Sequence, residues 1–276
     1  MPFFETQDGL NLFYSDCGEG LPLLCLAGLT RDSQDFRYFA PHAARYRMIT
    51  LDARGRGQSG HDPEFLNYNV LREAQDVLEL LDHLGLDQAA ILGTSRGGLV
   101  AMTLAAAAKD RLSAVILNDV GPEIPPGGIA RIMEYVGRRP AAKTWAQAAE
   151  TLETLMAPAF PDVPPVRWRE EVETFYNETP EGLSLRYDPC LREALLAQAE
   201  AGPTPDLWPL FMALDGLPCG VIRGANSDIL SANTYAGMQG RLPAIQAVEI
   251  ANRGHVPFLD EPEALTLIHS VLEQIQ

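Results

Sequence analysis

A serine between two glycines stands where a predicted strand passes into a predicted helix. The segment reads Gly93-Thr94-Ser95-Arg96-Gly97, which is the Gly-x-Ser-x-Gly pattern of a nucleophile elbow. A serine in so sharp a turn presents its hydroxyl at the end of the strand, and the flanking glycines leave room for the neighbouring strand and helix. The pattern predicts that Ser95 is a nucleophile beside a helix N-terminus, which favours developing negative charge.

A serine nucleophile needs a base, and one of the five histidines is placed for that role. His255 lies in Gly254-His255-Val256-Pro257, in a loop just beyond the last predicted strand. Gly254 allows the backbone to present the imidazole, and a loop leaves it able to reach a serine hydroxyl. The other four are interpreted as structural or surface residues: His42, His61, His83 and His269.

The base must in turn be oriented by a carboxylate that follows another strand. Asp228 follows the predicted strand that ends at Arg223, and it precedes His255 in the chain. The order Ser95, Asp228, His255 is the order of the acyl-transfer triad on α/β folds. Asp119 ends a different strand and is the alternative acid, its other interpretation being that it caps the turn after that strand.

Two preorganised N–H groups must hold the oxyanion that forms during attack on a carbonyl. One candidate is the backbone N–H of Arg96, directly after the nucleophile. The other is the backbone N–H of Leu29, in the loop Ala27-Gly28-Leu29-Thr30 after a predicted strand. The Arg96 side chain has three interpretations: contact with Asp228 or Asp119, contact with substrate, or a structural ion pair behind the turn.

The elements that position these residues alternate between short apolar strands and helical patterns. Asp8-Gly9 separates two opening segments that form a predicted hairpin. The predicted strands are Phe3–Thr6, Leu10–Tyr14, Leu21–Leu26, Met48–Leu51, Ala89–Leu92, Ala114–Leu117, Gly220–Arg223 and Ala247–Ile250. Helices are predicted between them, as over Val70–Leu84, where Leu71, Ala74, Leu78 and Leu81 share one face, and after Pro262. The sequence therefore predicts an α/β fold with an eight-stranded, mostly parallel sheet covered by helices.

One stretch interrupts this alternation. Residues 122–205 hold 12 of the 21 prolines and no clear buried strand. Helical patterns over Thr144–Met156 and Leu191–Ala201 predict an inserted helical cap. A linker is the competing interpretation, against which Trp145 and Trp168 indicate packing. We therefore expect a core domain of residues 1–121 and 206–276 with a cap of residues 122–205.

Composition narrows the classes of partner. A net charge of −16 disfavours nucleic acid and anionic membrane surfaces, both of which require a basic face. The sequence has no run of about 18 apolar residues, so we expect no membrane span. Its first residues lack the basic and apolar regions of a secretory signal, so we expect none. The four cysteines show neither CxxC pairing nor metal spacing, so we expect reduced cysteines, no metal and a cytoplasmic location.

These residues together resemble the α/β-hydrolase superfamily. Asp52-Ala53-Arg54-Gly55-Arg56-Gly57-Gln58-Ser59 is similar to the family's D-x-R-G-x-G-x-S turn, and the segment around His255 is similar to its catalytic-histidine segment. The chain departs from the family in two places. Ala27-Gly28 stands where many members have His-Gly, and Arg96 stands where an apolar residue is commoner.

The resemblance implies a capped carboxylesterase, enol-lactonase or carbon–carbon-bond hydrolase. We expect a small ester or lactone as substrate, an acyl-enzyme on Ser95, no cofactor, and a monomer or homodimer. Serine at position 95 disfavours the dehalogenase and epoxide-hydrolase branches, whose nucleophile is an aspartate. Two alternatives stay open: hydrolysis of vinylogous diketones by the same three residues, and a non-catalytic ligand-binding protein on the same fold.

Overall fold

Eight strands form one central sheet in the computed structural model of this chain, which describes residues 2–202 and 205–275. The strand order is β1-β2-β4-β3-β5-β6-β9-β10. The bounds are β1 Phe3–Glu5, β2 Asn11–Cys17, β3 Leu21–Leu26, β4 Tyr46–Leu51, β5 Ala89–Thr94, β6 Leu112–Asn118, β9 Cys219–Gly224 and β10 Gln246–Ile250. The predicted α/β fold with an eight-stranded sheet is confirmed, and each predicted strand overlaps an observed one.

The sheet is antiparallel only at its first edge. β1 pairs with β2 in antiparallel register, as the Asp8-Gly9 turn predicts. β2 also pairs with β4 in antiparallel register. The other neighbouring pairs, from β4 through to β10, are parallel. The carboxyl ends of the six parallel strands therefore meet at one edge, which is where open α/β sheets bind ligands.

Helices cover both faces of the sheet. The bounds are α1 Val70–His83, α2 Arg96–Ala107, α3 Pro126–Tyr135, α4 Trp145–Met156, α5 Pro165–Phe175, α6 Leu191–Glu200, α7 Trp208–Met212, α8 Ala232–Arg241 and α9 Pro262–Leu272. Leucines, valines and alanines of α1 and α2 form one core cluster with the sheet, and those of α9 form another on the opposite face. Two separate apolar clusters follow, because each face of a parallel sheet must be shielded from water.

The α1 helix buries most of the face that its apolar spacing predicts. Ala74 and Leu81 are buried and Leu78 is half-buried, whereas Leu71 is 74% exposed.

Two carboxylates that the spacing does not predict also lie on the inner face of α1. Glu73 and Asp76 are buried, because arginines from other parts of the chain pair with them. Asn69 caps the helix by accepting a hydrogen bond from the Arg72 N–H, at 2.9 Å.

Residues 122–202 contain α3 to α6 and a two-stranded antiparallel hairpin, β7 Tyr176–Thr179 and β8 Gly182–Leu185. This hairpin was not predicted, since neither strand is a continuous apolar run. The segment has its own apolar cluster, in which Trp168 and Phe160 contact edge to face at 5.6 Å between ring centroids. Met1, Pro203, Thr204 and Gln276, which the predicted domain ranges include, lie outside the described residues.

In the described ranges, no helix has both the length and the apolar character needed to cross a bilayer.

Crowding at the β5–α2 turn generates a stability prediction. A Cβ at Gly97 would overlap the backbone carbonyl of Leu26. Gly97→Ala should therefore lower the free energy of unfolding by about 3 kcal/mol or more, because the backbone of β3 would have to shift, which costs more than moving the end of a flexible side chain. Chemical denaturation followed by circular dichroism measures the effect.

Gly240→Ala in α8 is the matched control for this substitution. A Cβ there meets no atom within 4 Å, and alanine favours helix over glycine by about 1 kcal/mol. The control should be neutral or stabilising. A Gly97→Ala protein as stable as the control would contradict the close packing of β3 against α2.

Candidate active site

Ser95 sits at the sharp turn between β5 and α2. Its backbone has φ 51° and ψ −113°, a left-handed conformation that is strained for a residue with a side chain. A Cβ at Gly93 would lie 2.6 Å from the carbonyl carbon of Gly97, so the two glycines let the strand and helix meet. The Ser95 N–H donates to the carbonyl of Asn118 at 2.9 Å, which ties the turn to β6.

The His255 imidazole reaches this serine from the loop after β10. Its Nε2 lies 2.9 Å from Ser95 Oγ. The loop is held near β9, because the Asn226 N–H donates to the carbonyl of Arg253 at 2.8 Å. The amide of Asn118 donates to the carbonyl of Pro257 at 3.2 Å. The imidazole is thus anchored on both sides, and it stays partly open to solvent.

Asp119 provides the carboxylate that orients the imidazole. Asp119 Oδ2 lies 2.7 Å from His255 Nδ1, and its side chain is fully buried. The Gly224 N–H donates to Oδ1 at 2.8 Å, and the Ser227 hydroxyl donates to Oδ2 at 2.5 Å. Three groups therefore hold this one buried carboxylate in place. With Nδ1–H donating to Asp119, Nε2 is left to accept the serine proton.

Asp228 lies outside this arrangement. Its side chain is 36% exposed and forms an ion pair with Arg131 on α3, at 2.7 Å. The expectation that Asp228 contacts His255 is therefore wrong, and the alternative acid, Asp119, occupies that position.

The reason lies in the loop after β9 and not in the order of the strands. β9 is the direct neighbour of β10, but Asp228 lies four residues beyond the end of β9, and its carboxylate pairs with Arg131. Asp119 directly follows β6, and its buried carboxylate contacts His255. Ser227, next to Asp228, still takes part by donating to Asp119.

The loop after β3 borders the serine on the other side. A Cβ at Gly28 would lie 3.8 Å from Ser95 Cβ, so the backbone of this loop passes close to the nucleophile. Leu29 follows directly, and Arg96 opens α2 directly after Ser95. The arrangement is compatible with oxyanion donation by the N–H groups of Leu29 and Arg96, which stays a prediction.

The Arg96 side chain turns away from Ser95. Its Nε and Nη2 atoms lie 2.7 and 3.0 Å from the two carboxylate oxygens of Glu73, and Nη2 also donates to the carbonyl of Tyr68 at 3.2 Å. Of the three interpretations considered, the structure favours the ion pair behind the turn. Its partner is a residue of α1 and neither Asp119 nor Asp228.

The loop that borders Ser95 also carries an arginine that sequence reasoning missed. Arg31 stands two residues after Leu29, and its Cγ would lie 3.4 Å from a Cβ at Gly28. Its guanidinium stacks on the Phe175 ring at 3.7 Å from the centroid and pairs with Glu171 at 3.0 Å. Only its short separation from Leu29 could have drawn attention to it.

Two of the remaining histidines contact tyrosines elsewhere in the fold. His83 Nε2 lies 3.2 Å from the Tyr14 hydroxyl, and His269 Nδ1 lies 2.7 Å from the Tyr46 hydroxyl.

Comparison with known proteins fits this geometry. A sequence profile of the Alpha/beta hydrolase family matches residues 23–266, which span the elbow, Asp119 and His255. The chain belongs to the α/β-hydrolase family. It is therefore an enzyme of the hydrolase class.

Individual relatives of this hydrolase differ in the activity for which they are named. A 3-hydroxybutyrate-oligomer hydrolase from Cupriavidus necator is 33% identical over 253 residues, covering 89% of this chain and 86% of its own. A 3-oxoadipate enol-lactonase from Acinetobacter baylyi is 28% identical, with coverage of 96% and 95%. The crystal structure of an α/β-hydrolase from Novosphingobium aromaticivorans superposes with a TM-score of 0.92 at 38% identity, with coverage of 99% and 98%.

In this hydrolase, residues 122–202 contact the core on both sides of the site. On one side, Leu29 packs against a cluster that includes Val136, Tyr187 and Leu191. On the other, a Cβ at Gly254 would lie 2.8 Å from Ala159 Cβ, directly before His255. The segment therefore approaches both the candidate oxyanion loop and the candidate base.

The choice between the two aspartates can be tested directly. Asp119→Asn should lower kcat for p-nitrophenyl acetate by about 10⁴-fold, because an amide favours the wrong imidazole tautomer. Asp228→Asn should leave kcat unchanged, since it removes only a partner of exposed Arg131. Steady-state kinetics on both variants, with melting temperatures to verify folding, makes the comparison. A loss of activity confined to Asp228→Asn would contradict the assignment of Asp119.

Proposed function

We propose that this hydrolase cleaves small carboxylic esters through an acyl-enzyme on Ser95. The observation that carries the proposal is the continuous chain of contacts from Ser95 Oγ to His255 Nε2, at 2.9 Å, and from His255 Nδ1 to Asp119 Oδ2, at 2.7 Å. A serine hydroxyl is a weak nucleophile at neutral pH and requires such a base. The chain order is serine, aspartate, histidine, as this fold requires.

The reaction follows from the positions of the protons. His255 Nε2 takes the Ser95 proton as Oγ attacks the ester carbonyl, and Asp119 stabilises the resulting imidazolium without taking a proton itself. The N–H groups of Leu29 and Arg96 hold the oxyanion. Nε2–H then protonates the leaving alcohol. A water molecule, deprotonated by His255, attacks the acyl carbon, and the acid departs as Ser95 Oγ regains its proton.

Residues 122–205 act in this proposal as a cap over the site. Two contacts support that role: Leu29 packs against the cluster that includes Tyr187, and Gly254 packs against Ala159. Apolar side chains above the nucleophile would exclude bulk water and strengthen electrostatic interactions with the transition state. The same packing favours a small acyl group.

The relatives favour an open-chain ester over a lactone. The Cupriavidus necator relative, at 33% identity, is named for oligomers of 3-hydroxybutyrate, and an oligomer of a hydroxy acid is a linear ester. The Acinetobacter baylyi relative, at 28% identity, is named for an enol-lactone, so lactone hydrolysis is the second candidate. Arg31 near Gly28 adds no preference for an acidic substrate, because Asp35 and Glu171 already pair with it.

Replacement of the nucleophile tests the reaction type. Ser95→Ala should abolish labelling by a fluorophosphonate probe and lower kcat for p-nitrophenyl acetate by about 10⁵- to 10⁶-fold. In-gel fluorescence and steady-state assays measure the two effects. Wild-type protein that is folded but neither labels nor hydrolyses any ester would contradict the proposal and favour a ligand-binding role.

A substrate panel separates the two candidates. We expect kcat/KM for the linear dimer of 3-hydroxybutyrate to exceed that for an enol-lactone by about tenfold or more, because specificity is the ratio of these constants. Product release followed by chromatography measures both, and Ser95→Ala supplies the background rate. A ratio in the opposite direction would assign lactone hydrolysis. Turnover restricted to a vinylogous diketone would assign carbon–carbon bond cleavage.

A further inference from the structure

We infer that a buried ion-pair network, Arg56–Glu73–Arg96, holds the two oxyanion N–H groups in position relative to each other. The inference rests on the function proposed above, since it concerns the same oxyanion hole. Arg56 and Glu73 are positioning residues in this account, because they act through the backbone of Leu29 and Arg96. We refer to the three side chains as the oxyanion brace.

The brace fixes the Arg96 end through two parallel hydrogen bonds. Arg96 Nε and Nη2 lie 2.7 and 3.0 Å from Glu73 Oε2 and Oε1. This fork geometry restrains both the direction and the rotation of the arginine side chain. Because Arg96 is the first residue of α2, its side chain anchors the start of the helix, where the candidate N–H donor lies.

The brace fixes the Leu29 end through Arg56. Arg56 Nη1 lies 2.8 Å from Glu73 Oε1, and Arg56 Nε donates to the carbonyl oxygen of Leu29 at 2.9 Å. Nη1 also donates to the carbonyl of Arg54 at 2.6 Å. The bond fixes the peptide plane that follows Leu29, and the Leu29 N–H is separated from this plane only by the φ and ψ angles of that residue. Arg56 thus restrains the backbone of the residue that carries the candidate donor. Glu73 thus connects both candidate donors through one carboxylate.

Burial makes this connection rigid. Arg56, Glu73 and Arg96 are 1, 4 and 8% exposed. Burial by itself would raise the pKa of Glu73, but the guanidinium groups of Arg56 and Arg96 hold that pKa below its usual value. The carboxylate therefore stays ionised at neutral pH. Charge-assisted hydrogen bonds in such an environment are stronger than those in water.

Stability alone does not account for the brace. A buried ion pair is often no more stabilising than apolar side chains of the same volume, and this site lies among apolar residues such as Val77 and Val100. A cavity of about 20 Å³ lies between the brace and the backbone at Gly28 and Gly97. The loop could move into this space if the brace were shortened, so we expect the donors to lose their alignment.

A second buried network on the same helix provides a matched control. Asp76 lies one turn after Glu73 in α1, is equally buried, and pairs with Arg54 at 2.6 and 2.7 Å and with Arg72 at 2.9 Å. The side-chain contacts of Asp76 reach neither Leu29 nor Arg96, and the two networks meet only where Arg56 Nη1 donates to the backbone carbonyl of Arg54. Asp76→Asn therefore disturbs a buried arginine–carboxylate pair without removing a hydrogen bond of the brace.

The experiment compares Glu73→Gln with Asp76→Asn in the full chain. Each should lower the melting temperature, because each leaves buried arginines without a full partner. Only Glu73→Gln should lower kcat for p-nitrophenyl acetate, by about 10- to 100-fold, which is less than the loss of a whole oxyanion donor. Its KM should stay within about threefold, because ground-state binding does not use these donors. End-point titration with a fluorophosphonate normalises each rate to folded, active protein.

The inhibition constant of phenylboronic acid distinguishes misaligned oxyanion donors from a simple loss of stability. A boronate becomes tetrahedral on the serine and places an oxygen where the oxyanion forms, so its Ki should rise about as much as kcat/KM falls. Arg56→Lys is the second variant. It keeps a positive charge beside Glu73 but loses the Nε bond to Leu29, and it should show the same parallel changes even if Glu73→Gln does not fold.

The outcomes separate this inference from the proposed function. Wild-type protein without esterase activity would overturn the function, and the brace with it. Active wild type, with Glu73→Gln and Arg56→Lys no more impaired in kcat and Ki than Asp76→Asn, would overturn the brace alone. Losses of kcat and boronate affinity confined to the brace variants support it.

Discussion

The backbone at Ser95, held at φ 51°, is the constraint on which the rest of this site depends. A strained turn persists only where its surroundings force it, and here the forcing elements are β3, β6 and α2. The Ser95 N–H bonds to Asn118 of β6, and Gly97 packs against the Leu26 carbonyl of β3. These contacts fix the position of the Ser95 hydroxyl, which His255 Nε2 contacts.

The carboxyl edge of the parallel sheet brings the other two residues of the site, Asp119 and His255, together. Asp119 leaves β6 and His255 follows β10, and a parallel sheet places such strand ends side by side. The fully buried carboxylate of Asp119 is shared among His255, Ser227 and Gly224. One carboxylate therefore orients the base and also joins β6 to the loop after β9, so the geometry of the base and the packing of the sheet are linked.

Charged groups behind the site contrast with the apolar groups above it. Arg54 and Arg56, from the turn after β4, are almost wholly buried and pair with Asp76 and Glu73 of α1. Leu29, by contrast, packs among aromatic and aliphatic side chains. A fixed set of buried charges suits a reaction in which negative charge develops at one atom, because preorganised groups need no rearrangement as the charge forms.

The sequence by itself determined the eight strands, the elbow at Ser95 and the choice of His255, because strand periodicity and glycine spacing are local properties of the chain. It left open which aspartate meets His255, since that depends on how the loops after β6 and β9 direct their side chains. It also missed the charged residues on the inner face of α1. Glu73 is buried there only because Arg56 and Arg96, from other segments, pair with it. The local sequence around a charged residue does not indicate which distant residue will pair with it after folding.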